Sequence, residues 1–197
     1  MKKILLICLF ATVWAFQAPA QQNLVWDIQL LKGNEHENVP YSQTITVESG
    51  QGLYIAMIPA SDCYCYVLSQ NFERKMVVLY DQHVKGKKEI YLTPLPEDSP
   101  PDTKTLYVIM SLARQTKLEE LIKSYKSNPD SIRHVNNLHG EIAKLQDTAS
   151  GLGEPSSALI PSGGTTRGSS SQEYATRFSM KNLYVRTITI RAVQAAN

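Results

Sequence analysis

The chain is predicted to be mainly β: a sandwich-like domain of about eight strands, with two helices inserted before the C-terminal strand. Three observations predict it. Short runs of alternating apolar and polar residues recur between turn-forming residues, the pattern of half-buried strands. Residues 53–58 and 105–112 are apolar on both faces, as strands covered on two sides require. Two stripes at helical spacing, between 116 and 145, interrupt the β pattern once.

The elements follow in order. Leu24, Trp26, Ile28 and Leu30 alternate with more polar neighbours and give a first strand. Residues 32–40, KGNEHENVP, read as a polar loop, and residues 41–48 alternate again as a half-exposed strand. Ser49-Gly50-Gln51-Gly52 turns into residues 53–80, the centre of the chain. The first strand there ends at Pro59, which cannot donate to a ladder. After a short turn, CYCYVL sets Tyr64, Tyr66 and Leu68 on one face and Cys63, Cys65 and Val67 on the other. Ser69, Gln70 and Asn71 open a hairpin loop, and residues 75–80 return as a third strand. Connections this short predict sequential antiparallel pairing of all three.

Residues 81–88 form a charged loop around Gly86, and residues 89–95 a short strand. Pro94, Pro96, Pro100 and Pro101 exclude regular structure as far as Asp102. Residues 105–112 supply another interior strand. Thr116 and Glu119 have the spacing of a capping box, ahead of a stripe of Leu118, Leu121, Ile122 and Tyr125. Asn128-Pro129 then suits an N-cap and first helical position, with Ile132, Val135, Leu138, Ile142 and Leu145 as the apolar face. Both stripes are expected to pack on a core rather than form a partner's groove.

Residues 148–172 are rich in Gly and Ser and are expected to form a flexible loop, since they offer little apolar surface to offset chain entropy. Gly163-Gly164 lacks the following Lys-Ser/Thr of a phosphate cradle. The alternation at 183–192 predicts a last strand that returns to the sheet and closes a single domain over residues 21–197.

Residues 1–20 are read as a signal peptide. Lys2 and Lys3 form a basic start, residues 4–16 a 13-residue apolar core, and Ala18-Pro19-Ala20 the small residues before cleavage at Gln21. The core falls short of the roughly 20 apolar residues that span a bilayer; a retained N-terminal anchor is the alternative to cleavage. No later stretch reaches that length, so no integral membrane segment is expected after cleavage. Cleavage takes Lys+Arg from 20 to 18, equal to the 18 Asp+Glu, so the mature protein is formally neutral. A nucleic-acid partner is not expected of such a chain.

Export leaves Cys63 and Cys65 as the only cysteines, in an oxidising compartment. Two residues apart on one strand, their Cα atoms sit near the ~7 Å limit for a disulfide. They read as small buried hydrophobes. A strained redox-active or intermolecular disulfide is the alternative. His36, His83, His134 and His139 lack the i, i+4 spacing of a helical zinc site, and neither metal nor cofactor is expected. Asp81 and His83 are the nearby partners that a Cys63 or Cys65 nucleophile would need. Among aromatics, Tyr64, Tyr66 and Tyr91 are the candidates for a recognition surface, with burial in the core as the ordinary alternative.

The succession GLYIAMIPASDCYCYVLSQN, KMVVLY, EIYLTPLPED and TLYVIMSLARQTKLEELIKSY resembles a bacterial domain of unknown function. That family occurs alone in exported proteins and appended to caspase-like peptidases and serine/threonine kinases. The resemblance covers about residues 44–125 and rests on Asp62 before Tyr64 and Tyr66, the strand end Leu79-Tyr80, and Ser111 ahead of Leu118 and Leu121. SQNFERK stands where the family has a Gly-rich hairpin, and no Pro follows Tyr80. The resemblance implies a β-rich accessory domain and carries no catalytic residue. The expectation is a non-enzymatic exported envelope protein binding a protein or surface ligand. The alternatives are a hydrolase or redox protein using Cys63 or Cys65, and an inhibitor whose Gly/Ser loop enters a target.

Overall fold

A computed structural model of the chain describes residues 23–33, 37–48, 50–96, 102–161 and 174–194. The residues read as a signal peptide, and His36, lie outside them. The described residues are mainly β, with eleven strands in two sheets and two helices ahead of the last three strands.

The first sheet holds β1 (Asn23–Lys32), β2 (Glu37–Val39), β4 (Leu53–Pro59), β7 (Ile90–Leu95), β9 (Ser156–Pro161) and β10 (Tyr174–Lys181), in the order β7-β4-β1-β10-β9. β2 shares one edge of β1 with β10, pairing at Leu30–Lys32. The second sheet runs β3-β11-β8-β5-β6, from β3 (Thr44–Glu48), β11 (Leu183–Val193), β8 (Thr103–Ser111), β5 (Cys63–Gln70) and β6 (Met76–Val84). The β3–β11 pair is parallel and every other pairing is antiparallel.

The inner faces meet through large side chains. Trp26 of β1 lies edge-on to Tyr184 of β11, with ring centroids 4.3 Å apart, and beside Phe178 of β10 at 5.5 Å. All three rings are buried. The helices α1 (Thr116–Ser127) and α2 (Ile132–Gly151) cover the other face of the second sheet. Tyr125 Oη donates to the Met76 carbonyl, and Gln146 Nε2 to Thr187 Oγ1 at 2.8 Å. The stripes Leu118, Ile122, Tyr125 and Val135, Leu138, Ile142, Leu145 are buried beneath them. The second sheet is therefore covered on both faces, which is why β8 reads as apolar on both; β4, read the same way, lies in the first sheet, where Ile58 on its outer face is 38% exposed.

Several expectations are corrected. Residues 53–80 do not form one three-stranded meander. β5 and β6 pair, but β4 belongs to the first sheet, both of its edges being taken by β1 and β7. Ala60, Ser61 and Asp62 cross between the layers; three extended residues reach about 10 Å, close to the spacing of packed sheets. The crossing is held by the turn after β6. Asp62 accepts from the Gly86 N–H and from Lys85 Nζ, each at 2.9 Å. A Cβ on Gly86 would lie 2.8 Å from Ser61 Cα, so the approach itself requires glycine.

The charged loop is shorter than predicted, because β6 continues to Val84. β2 lies in the predicted polar loop, where three residues suffice to pair with β1. The Gly/Ser region is not one loop: α2 extends to Gly151 and β9 pairs with β10 over Ser156–Pro161. The remainder of the predicted loop, residues 162–172, lies outside the described residues. β10 runs almost directly into β11, and Asn182, at φ 52°, swings the chain from one sheet to the other.

The helix caps also differ. Gln115 rather than Thr116 precedes α1, and Glu119 turns to Tyr66 and Arg114. Ser131 caps α2, accepting from the His134 N–H, while Asn128 closes α1. Ile132, placed on the apolar face of α2 by its spacing, is 76% exposed.

Candidate functional site

The expected residues are not gathered at one place. Cys63 and Cys65 pair opposite Val84 and Gln82 and face the inter-sheet core with Val67. They are free thiols, and burial pushes Cys63 up to about 11 and Cys65 further up. His83 and Asp81 pair opposite Tyr64 and Tyr66, which places them on the other face of the sheet. The strand register thus separates the thiols from the imidazole and carboxylate of the cysteine-nucleophile reading.

The three tyrosines are divided as well. Tyr66 is buried beneath α1, where its hydroxyl donates to Glu119 Oε1 at 2.8 Å and accepts the Gln115 N–H at 3.1 Å. That commitment removes it from any recognition surface. Tyr64 is half-buried, edge-on to His83 at 4.9 Å. Tyr91 is exposed on the far side of the molecule, the outer face of the first sheet, stacked on Tyr54 at 5.8 Å.

Convergent polar groups lie instead where the β5–β6 turn meets α2. The turn is built by Asn71. Its N–H donates to the Lys75 carbonyl at 3.1 Å, its carbonyl accepts the Arg74 N–H at 3.1 Å, and its Oδ1 accepts the Lys75 N–H at 2.9 Å. Arg74 takes a φ of 64°, tolerated here because these bonds over-determine the turn. Gln70, at the end of β5, is buried and ties turn, sheet and helix together. Its Nε2 donates to the Arg74 carbonyl at 3.3 Å and to His139 Nε2 at 2.7 Å, and its Oε1 accepts from Tyr107 Oη at 3.3 Å.

An amide nitrogen only donates, so His139 Nε2 accepts and the ring proton sits on Nδ1. Desolvation, and then the nearby Arg74 charge, hold the imidazole below its usual range, in agreement with a neutral ring. His139 also lies edge-on to Tyr107, with ring centroids 5.8 Å apart.

Two open cavities meet at this junction. One, of about 320 Å³, is lined by Gln70, Arg74, Asn136 and His139. The other, of about 290 Å³, is lined by Glu73, Arg74, Lys75, Pro129, Asp130, Ile132, Val135 and Asn136. Arg74 and Asn136 border both, so the two form one groove with a polar and a more apolar half. A smaller apolar cleft of about 160 Å³ opens near β2, but its amide, Asn38, already donates to the Tyr174 carbonyl at 2.6 Å.

The sequence hid this groove. Gln70 and His139 are 69 residues apart, and His139 reads as one of four scattered histidines. The turn residues read only as a polar hairpin. Among the described residues no cluster of His, Cys, Asp and Glu is arranged to hold a metal ion. No family model matches the chain, and neither the curated proteins nor the solved structures give a match.

Proposed function

We propose that the chain is an exported, non-enzymatic envelope protein that binds a protein or surface ligand in the groove between the β5–β6 turn and α2. The observation that carries the reading is the shared border of the two cavities. Arg74 and Asn136 stand between a floor of bonded polar groups and an apolar wall at Pro129, Ile132 and Val135. Binding sites commonly combine apolar lining with a few fixed polar groups.

Export is supported by the basic start, short apolar core and Ala18-Pro19-Ala20 of the N-terminal residues. Among the described residues no helix is long and apolar enough to cross a membrane. The resemblance of residues 44–125 to an accessory domain belongs to the same reading. The reading as a hydrolase or redox protein is disfavoured, because Cys63 and Cys65 face the inter-sheet core and His83 the opposite side.

The test is capture from an envelope fraction by the purified protein and by Arg74→Glu. The exposed turn position predicts an unchanged melting transition for the variant, with loss of the captured partner. Equal capture by both proteins would reject the groove.

A further inference from the structure

We propose that this groove takes the carboxy-terminal carboxylate of a peptide whose last side chain is apolar. The proposal rests on the groove being the binding surface and adds the chemistry of what enters it.

The polar half offers donors. Gln70 has spent both its amide protons and its carbonyl on Arg74, His139 and Tyr107. What remains is the Arg74 guanidinium, the Asn136 side-chain amide and the His139 Nδ1–H. The Arg74 guanidinium makes no hydrogen bond or ion pair among the described residues, and neither does the Asn136 amide. The His139 ring accepts through Nε2 alone, which leaves its Nδ1 proton without an acceptor there. A cation carried on a bonded turn beside two further donors suits a carboxylate, which accepts on two oxygens.

The other half suits what precedes a carboxylate. Glu73 is occupied by Lys75 at 3.2 Å and does not compete for Arg74. Asp130 lines only the apolar half, where it can accept a peptide N–H. Ile132, 76% exposed, stands beside Pro129 and Val135 as the surface an apolar side chain would cover. Donors at one end, apolar wall and acceptor at the other follow the order of groups at a peptide terminus. The frame of the site is preformed, because the turn and Gln70 are already bonded.

The experiment follows backbone amide shifts of the purified protein during titration with N-acetyl-alanyl-leucine, with its C-terminal amide, and with inorganic phosphate. The free acid is expected to shift resonances at Arg74, Asn136 and His139. Its amide should bind at least roughly tenfold more weakly, the cost of losing a charge-assisted contact. Arg74→Gln should lose that discrimination while melting as the parent does. Asn136→Ala, on an exposed helix position, provides a second variant that should weaken the acid should the turn variant fail to fold. Equal binding of acid and amide would overturn the proposal, as would phosphate competing as well as the acid, the mark of a general anion hook. Silence from all three probes would overturn this ligand class, while partner capture by Arg74→Glu judges the groove separately.

Discussion

Tyr66 Oη donates to Glu119 Oε1 while accepting the Gln115 N–H, so a β5 tyrosine caps a helix whose N-cap residue lies 49 residues further on. Arg114 fixes the same carboxylate through Oε2, at 2.8 Å from Nε and 2.7 Å from a terminal nitrogen. The Arg114 bond, with support from Tyr66, holds the Glu119 carboxyl below its usual range. The helix therefore begins where the sheet supplies an acceptor for its first N–H, rather than where a local capping residue stands. Tyr66→Phe keeps the ring and removes the cap. It is expected to cost ~1–3 kcal/mol, the penalty for a polar group left without its partner. Denaturant unfolding measures it, and an unchanged midpoint would deny the cap its role.

Asp62 ties the segment that crosses between the sheets to the turn after β6. The Gly86 N–H, and then Lys85, hold its carboxyl below its usual value. A carboxyl lowered in the native state stabilises the fold above its unfolded pKa, ~3.9, and the gain is lost as pH falls through the lower native value. Asp62→Asn is therefore expected to be less stable than the parent near neutral pH, with the gap closing on acidification below about pH 4. Thermal melts of both proteins across that range check the sign. A gap that widens towards acid would contradict it.

The thiols supply a third prediction. Cys63 and Cys65 are buried against the core, and burial raises both above the ordinary thiol value. The thiolate is the reactive form, so both should resist an aromatic disulfide reagent at neutral pH and react once denaturant is added. Rapid labelling of the folded protein would show that β5 opens far more readily than its packing implies. The Cys63→Ala and Cys65→Ala pair should bind whatever the parent binds.

How much of this was legible follows from the range of each interaction. The strands around Trp26, Ile45, Ile55, Tyr66, Val78, Leu92, Val108 and Ile188 carry their own alternation or two-sided apolarity, and each appears. β10 alternates as well, with Tyr174, Thr176, Phe178 and Met180 on one face, but the Gly/Ser stretch that it adjoins hides the pattern. β9 is almost wholly exposed, so burial left no pattern in it to read. The crossing at Asp62 and the cap at Tyr66 depend on partners 24 and 49 residues away, beyond any local signal. The groove joins two segments that touch only in the folded chain. Of its members, Ile132 is the one that periodicity alone misplaces, since a helix stripe does not report where the sheet beneath it ends.

The central claim is that the protein meets its partner at the turn–helix groove. Photocrosslinking tests it most directly, with a benzophenone side chain placed at Asn136 in the groove or at Tyr91 on the opposite sheet face, in cells producing the protein. A defined adduct from Asn136 and none from Tyr91 is the predicted result. Adducts from Tyr91 with none from Asn136 would place the working surface on the other side of the molecule and contradict the account.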